Sequence, residues 1–339
     1  MEENIDKIFM RRAIQLAKLG LGKAAPNPCV GSVIVYDGKI IGEGYHKKNG
    51  TAHAEVNAVN SVKPENHHLL SKSTIYVTLE PCHHYGKTPP CVDLILKHQF
   101  PKVVIGCKDP NPKVGGQSIE KLRKNGVEVE VGVLEKECWE VTKRFMTFFT
   151  KKRPFIILKY AQSYDGFIGK KNKQVWITGK QTKRLVHKWR HEEAAILVGT
   201  NTALIDNPTL TNRLWFGTQP LRLVIDAKNR LSKDLNIFNN DAITKVLENG
   251  DISIILKTLY DLKINSLIVE GGQTLLNSFI EQNLWDEARI FTGNVRINDG
   301  VNAPNFLKIS PLSTKKVGDD ILKYYRNSTG TTFINSNSI

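Results

Sequence analysis

No stretch of the 339-residue chain is apolar for long enough to span a bilayer. Its opening residues, MEENIDKIFMRRAIQLAKLG, lack the apolar centre and the small-residue cleavage site of a secretory leader. A cytoplasmic protein is expected. Cysteine is scarce, with five residues: Cys29, Cys82, Cys91, Cys107 and Cys138. An odd count in so long a chain argues against a disulfide framework and leaves reduced thiols that can act as ligands. Low-complexity tracts are missing, and 40% hydrophobic with 24% charged residues is a globular composition. Missing too is a basic stripe interleaved with aromatics. The net charge is +15, but the basic residues are spread along the chain and cluster only modestly, as at Lys151-Lys152-Arg153. A nucleic-acid partner is therefore not expected, whereas a positive field also suits a small phosphorylated ligand.

The length predicts two domains. Apolar groups at Ile5, Ile8, Phe9, Leu16 and Leu19 predict a helix over 5–19 with one buried stripe. Asp37-Gly38, between apolar runs at 30–36 and 39–44, predicts a hairpin. Further strands are expected at 74–79, 103–107 and 127–133, with helices at 54–62, 89–98 and 118–124. This alternation predicts a sheet covered by helices on both sides. A helix over 135–150 runs into Lys151-Lys152-Arg153-Pro154, which sets the expected domains at 1–150 and 151–339. The second half starts afresh with strands at 155–161, 194–198, 221–226, 266–270 and 288–292, and helices at 180–190 and 273–282. It reads as a second α/β unit, unrelated to the first by any repeat.

The chemistry concentrates between Ala52 and Val92. His53-Ala54-Glu55 opens a predicted helix after the Gly50-Thr51 turn. Pro81-Cys82 follows the strand 74–79, and Cys91 follows Pro89-Pro90, where prolines favour a helix start. One imidazole and two thiolates suit Zn²⁺ and leave the fourth tetrahedral position for water. The metal lowers that water's pKa from ~15.7 toward ~7. Glu55, two residues beyond the histidine, is expected to shuttle protons between water, a ring nitrogen and a leaving amine without binding the metal. The competing readings are a structural zinc site, or cysteines buried as small apolar groups. His-x-Glu together with Pro-Cys and Pro-Pro-Cys on the expected elements favours catalysis. His83 and His84 read as loop or pocket residues, and Cys29 as packing. Asn27 is a candidate for hydrogen-bonding the substrate; its rival role is capping a proline-rich turn.

His-x-Glu followed by Pro-Cys is the zinc-deaminase signature, but here the second cysteine ends a longer loop, Cys82-His83-His84-Tyr85-Gly86-Lys87-Thr88-Pro89-Pro90-Cys91. With Pro26-Asn27-Pro28-Cys29-Val30-Gly31 and Asp109-Pro110-Asn111-Pro112, that loop resembles the deaminase domain of the bifunctional riboflavin-biosynthesis deaminase/reductases. Lys87 stands where the resemblance leads one to expect arginine, which keeps the charge and loses the planar fork. The resemblance implies a cytidine-deaminase-like three-layer α/β/α fold and loss of an amino group from a diaminopyrimidinone ribotide.

In the second half, Val269-Glu270-Gly271-Gly272-Gln273-Thr274-Leu275 joins a strand to a helix through two glycines. Such a turn lets backbone approach a phosphate at a helix N-terminus, although it also arises for purely steric reasons. Three segments, 158–166, 176–178 and 199–208, resemble the reductase half of the same family. They imply a dihydrofolate-reductase-like α/β fold, NADPH as cofactor, and reduction of the ribosyl group to ribityl. The resemblance further implies that Ala161, Trp176, Thr202, Asp206 and the run Gly272, Gln273, Thr274, Leu275 contact the cofactor. Ser163, Arg190, Leu210, Arg213 and Glu270 would hold the substrate, with the arginines as phosphate partners. Asp206 is also expected to orient the hydride chemistry, against the rival of an ordinary Asp-Asn-Pro turn. Trp176 taken alone is more often a core residue than a shelf for the cofactor. A strand-and-turn unit is expected to be missing between about 240 and 255, ahead of a helix over 252–262. Its loss would weaken the hold on the adenine end of the cofactor and leaves the reductase activity open. The polar end, 327–339, is expected to fray.

The expected function is thus two consecutive steps of riboflavin synthesis on a phosphorylated pyrimidine, with Zn²⁺ and NADPH, by a protein self-associating through its reductase half. A nucleic-acid base deaminase is the rival that the charge suggests, but it would need a basic, aromatic-rimmed path, and a reductase half has no use on RNA. A non-catalytic zinc-binding descendant is the second rival.

Overall fold

The structure is a computed structural model that describes residues 4–83, 85, 89–111, 115–171, 173–304 and 309–327. His84, Lys87, Pro112 and the tail beyond Asn327 lie outside the described residues. The chain divides into two compact units at Lys151/Lys152. No helix among the described residues is long and apolar enough to cross a membrane.

The first unit runs α1 (Ile5–Lys18), β1 (Gly31–Tyr36), β2 (Lys39–Tyr45), α2 (Ala54–Ser61), β3 (Thr74–Leu79), α3 (Cys91–Lys97), β4 (Lys102–Cys107), α4 (Gln117–Lys124), β5 (Glu128–Val131) and α5 (Glu135–Lys151). The sheet order is β2-β1-β3-β4-β5. The hairpin β1–β2 is antiparallel, β1 meets β3 antiparallel, and β3, β4 and β5 run parallel. Side chains alternate across each strand. Ile34, Ile75, Val77, Val103 and Ile105 therefore pack against α2, α3 and α4, while Val33, Val35, Tyr76 and Val104 pack against α1 and α5. Three layers result. Asn4 caps α1 by accepting the Asp6 N–H at 2.9 Å, and the helix buries Phe9, Met10, Ala13, Ile14, Leu16 and Ala17. The large ones among them, Phe9, Met10, Ile14 and Leu16, each contribute about 1.5–3 kcal/mol when fully removed from water. Gly44 on β2 lets α2 sit close: a Cβ there would lie 2.3 Å from the Ala58 nitrogen. This contact seats the helix that follows His53.

The second unit runs β6 (Phe155–Ser163), β7 (Phe167–Gly169), α6 (Lys180–Glu192), β8 (Ala195–Val198), α7 (Thr200–Asp206), β9 (Leu221–Ile225), β10 (Thr244–Leu247), α8 (Ile252–Asp261), β11 (Ser266–Val269), α9 (Gln273–Glu281), β12 (Glu287–Gly293), β13 (Val301–Asn302), β14 (Ser313–Val317) and β15 (Asp320–Arg326). Its main sheet is ordered β10-β9-β8-β11-β6-β12-β15-β14. The strands from β10 to β12 are parallel, and β15 and β14 close the edge antiparallel. Parallel strands buried on both faces read as apolar runs, as Phe155-Ile156-Ile157-Leu158 and Ala195-Ile196-Leu197-Val198 do. One face packs on α8 and α9, the other on α6 and α7.

The stretch from about 240 to 255 is where a strand-and-turn unit was expected to be missing. A strand does form there: β10 pairs with β9 from Thr244↔Arg222 to Leu247↔Ile225. Its four residues lie at the sheet edge with only Leu247 buried, so they leave almost no apolar pattern to read. Asp251 then starts α8 by accepting the N–H groups of Ser253 and Ile254 at 2.8 and 3.3 Å.

Candidate active sites

A cleft of about 370 Å³ opens in the first unit, lined by Asn27, His46, His53, Glu55, Cys82 and Asp109 among others. His53 is the N-cap of α2, in extended backbone with φ −71° and ψ 170°. Cys82 lies just beyond β3, and Cys91 is the first residue of α3. Three sequence-distant segments thus deliver their ligand atoms to one point. His53 Nδ1 is 3.5 Å from Cys82 Sγ and 3.3 Å from Cys91 Sγ, and all three ligand atoms lie within 4.8 Å of one another. A tetrahedral zinc with bonds of about 2.0–2.1 Å to nitrogen and 2.3 Å to sulfur places those atoms about 3.5 Å apart. The donor set fits the metal in type and in spacing. The Cys91 N–H donates to Cys82 Sγ at 3.2 Å, a second-layer contact of the kind that fixes a ligand's direction.

Hydrogen bonding with Cys91, aided by His53, pulls the Cys82 thiol down to about 4, while Cys91 is pushed up by Cys82 and by its own burial. His53 is raised, chiefly by its hydrogen bond with Cys82. Glu55 is 3% exposed, and burial raises its carboxyl above the ordinary range. A carboxyl of raised proton affinity beside the ligand atoms is suited to taking a proton and handing it on. Asn27 reaches the same cleft, its Nδ2 3.1 Å from His46 Nε2. Cys29 is half-buried and does not belong to the ligand cluster. His83 Nδ1 is buried with no hydrogen-bond partner among the described residues.

Three residues of this site carried no role in the sequence. Glu80 accepts the N–H groups of Asp109, Gly116 and Ser118 at 3.3, 3.0 and 3.2 Å, pinning the segment after β4 to the end of β3. Asp109, thereby held at the cleft, is pushed up to about 7 by burial. His46 is considered below. The only available signal was that Glu80 precedes Pro81-Cys82 and that Asp109 opens the Asp-Pro-Asn motif.

A second cleft of about 570 Å³ lies in the second unit, at the carboxyl ends of β8, β9 and β11. Ligands in open α/β sheets bind at such ends. Thr202, Asp206, Gly272, Gln273, Thr274 and Leu275 all line it. A Cβ on Gly272 would have only Thr202 Oγ1 nearby, at 3.5 Å, so the backbone at the head of α9 is open to a ligand. Asp206 ends α7, its carbonyl accepts the Gln174 amide at 3.1 Å, and burial raises its carboxyl. Ala161 and Trp176 are not among the lining residues. Trp176 is 60% exposed, with Lys183 Nζ 3.3 Å from its ring centre. Asn201 and Arg230, joined at 2.9 Å, do line the cleft and went unnoticed in the sequence.

The expected substrate residues separate into two groups. Arg190 and Glu270 form a two-pronged pair, Nε–Oε1 3.1 Å and Nη2–Oε2 2.9 Å, with Lys159 Nζ 3.5 Å from the same carboxylate. Arg190 also donates to the Thr211 carbonyl at 3.1 Å. Arg213, by contrast, is exposed and donates to Thr209 Oγ1 at 2.7 Å. Leu210 is buried in left-handed backbone, φ 52°. The Ser163 hydroxyl is spent on the turn between β6 and β7, donating to Asp165 at 2.5 Å and accepting the Phe167 N–H at 3.0 Å.

Burial opposes the Glu270 charge, but Arg190 and Lys159 outweigh it and hold the carboxyl at about 2. An unfolded glutamate titrates near ~4.3. The stabilisation is therefore complete above the unfolded value and is lost as pH falls from there toward the folded one. Acid melting of the second unit between those values should flatten in Glu270→Gln; an unchanged pH dependence contradicts the assignment.

The cytidine and deoxycytidylate deaminase zinc-binding region matches residues 3–107, and the RibD C-terminal domain matches residues 154–322. The riboflavin biosynthesis protein RibD of Aquifex aeolicus is 36% identical, covering 96% of this chain and 99% of its own. That of Escherichia coli is 33% identical over 84% of this chain and 87% of its own. A crystal structure of a diaminohydroxyphosphoribosylaminopyrimidine deaminase/5-amino-6-(5-phosphoribosylamino)uracil reductase from Thermotoga maritima superposes with a TM-score of 0.89 at 38% identity, covering 95% of this chain and 99% of that one.

Proposed function

The chain belongs to the RibD family of riboflavin-biosynthesis proteins, and we propose that His53, Cys82 and Cys91 hold the zinc of its deaminase while Glu55 moves the protons. The protein is a bifunctional enzyme, a zinc-dependent deaminase and an NADPH-dependent reductase, with a cytidine-deaminase-like and a dihydrofolate-reductase-like half. Its substrates are phosphorylated pyrimidines: a diaminohydroxyphosphoribosylaminopyrimidine for the first step and 5-amino-6-(5-phosphoribosylamino)uracil for the second. The single observation that carries the residue assignment is the convergence of one ring nitrogen and two sulfurs within 4.8 Å, beside a buried carboxyl.

Zinc held at those three atoms supplies an activated water by lowering its pKa toward ~7. With zinc bound, Glu55 would carry one water proton to the ring nitrogen and then the second, from the hydroxyl added to the ring, to the departing amine. Its burial keeps bulk water from competing for those protons. Asn27 holds the pyrimidine at the cleft wall. In the second unit NADPH supplies hydride when bound. The open backbone at Gly272 and the head of α9 would hold its diphosphate, Thr202 and Asp206 would contact it, and exposed Arg213 would take the substrate phosphate. Arg190, already engaged by Glu270, contributes through that fixed cluster. The strand β10 completes the sheet edge beside this cleft, which supports an intact reductase half.

One purified sample, assayed for metal and for both steps, tests the reading. Zinc is expected with ammonia release from the diamino ribotide, and NADPH is consumed only with the deaminated ribotide. Ammonia release that survives complete removal of zinc, or release from tRNA and not from free ribotide, overturns it.

A further inference from the structure

His46 is 3% exposed and makes two side-chain hydrogen bonds in opposite directions. On one side, its Nδ1 lies 3.1 Å from the Ala52 carbonyl oxygen. A carbonyl can only accept, so Nδ1 carries the hydrogen, and the neutral ring then has its lone pair on Nε2. On the other side, Nε2 lies 3.1 Å from Asn27 Nδ2. An amide nitrogen can only donate, and the two requirements agree. The hydrogen bonds run in one sense, from the Asn27 amide to His46 and from His46 to Ala52.

Both ends of this relay are anchored. The Ala52 carbonyl also accepts from Asn57 Nδ2 at 3.1 Å, and the same nitrogen donates to the Tyr45 carbonyl at 2.9 Å. The backbone N–H of His46 donates to Val30 at 2.9 Å, and that of Asn27 to Ala24 at 2.9 Å. The His46 ring stands edge-on to His53, centroids 5.3 Å apart. A free asparagine presents either end of its amide to a ligand. Here the nitrogen end is taken, and Asn27 Oδ1 receives no hydrogen bond from any described residue while its side chain lines the cleft.

We infer that His46 is a positioning residue of the deaminase: it locks the Asn27 amide so that Oδ1 stands as a fixed acceptor for an N–H donor of the pyrimidine. The inference rests on the reading of this cleft as the deaminase site and adds a basis for selecting the ring. A pyrimidine with an N–H or amino group at that edge is accepted. One with a lone pair there faces Oδ1 without a partner and cannot be accommodated by turning the amide, because that would set Oδ1 against the Nε2 lone pair. Sites built to hydrogen-bond a particular polar group reject the analogue that cannot return the bond.

His46→Gln keeps an acceptor oxygen about where Nε2 lies, whereas His46→Leu removes it. In the zinc-loaded full-length enzyme, His46→Leu is expected to raise KM for the diamino ribotide about tenfold, with a smaller change in kcat and unchanged zinc content. His46→Gln should recover most of that loss, and the Kd of the diamino ribotide, measured calorimetrically in a Glu55→Gln background that does not turn it over, should follow KM. An unchanged KM in His46→Leu, or equal losses in the two variants, overturns the inference. If His46→Leu sheds zinc, the cycle with Asn27→Ala decides, using His46→Gln as the sound background. Any loss that His46→Gln shows must vanish once Asn27 is alanine, so that the double variant matches Asn27→Ala alone; additive losses overturn the relay. A wild type that holds zinc yet releases no ammonia would instead sink the deaminase reading.

Discussion

Glu55→Gln is expected to retain zinc and to lose ammonia release by a factor on the order of 10²–10⁴, the usual contribution of a positioned acid–base group. The substitution keeps the volume of a side chain that is 3% exposed, so the helix α2 and the ligand it follows stay in place. An amide can still hydrogen-bond near Cys91, but it cannot take a proton from water and give it to nitrogen. Glu55 supplies no atom to the ligand cluster, which is why the metal should remain. NADPH consumption with the deaminated ribotide should be untouched, since every residue lining that cleft belongs to the second unit. The check is a paired measurement of zinc content and of both rates. Substantial ammonia release by the variant would remove Glu55 from its role.

Cys82→Ala is expected to abolish both zinc binding and ammonia release. It removes the sulfur that is 3.5 Å from His53 Nδ1 and that accepts the Cys91 N–H. Two ligands then remain, too few for the three-residue set that leaves one position open to water. Metal binding is coupled to folding, and a ligand that binds only the folded form stabilises it in proportion to the logarithm of its concentration over Kd. Added zinc should therefore raise the melting temperature of the wild-type first unit and leave that of the variant where it is. His53→Ala should behave alike. A variant that still binds zinc tightly and turns over would show that the ligand set is misassigned.

Much of this was legible in the sequence because its signals are local. His53, Glu55, Cys82 and Cys91 stand next to turns and prolines that set helix and strand ends, and Cys91 does open α3. The strands of the first unit carry period-two or wholly apolar runs, as does β6. What stayed hidden depends on pairing across distance. Of the antiparallel edge strands, β14 (Ser313–Val317) is exposed or half-buried with two lysines, and β15 (Asp320–Arg326) buries only Asp320 and Leu322, so neither showed a clear alternation to mark it as sheet. The edge strand β10 was missed for the same reason. Arg222 is fully buried inside β9, paired with the Thr209 carbonyl and Asn239 at 3.0 and 2.8 Å; nothing around it in the sequence announces those partners. The residues from Gly272 to Leu275 that line the second cleft follow one another and were readable as a strand–glycine–helix turn. Glu80 bonds backbone groups far along the chain and His46 bonds the Ala52 carbonyl and the Asn27 side chain, and no spacing rule points to either.

X-ray absorption at the zinc edge of the purified enzyme addresses the metal centre directly. One nitrogen-type shell at about 2.0–2.1 Å and two sulfurs at about 2.3 Å, with a light-atom ligand completing the shell, is the predicted result. A spectrum without sulfur scattering, or with four sulfurs and no imidazole, would contradict the site on which the hydrolytic step depends.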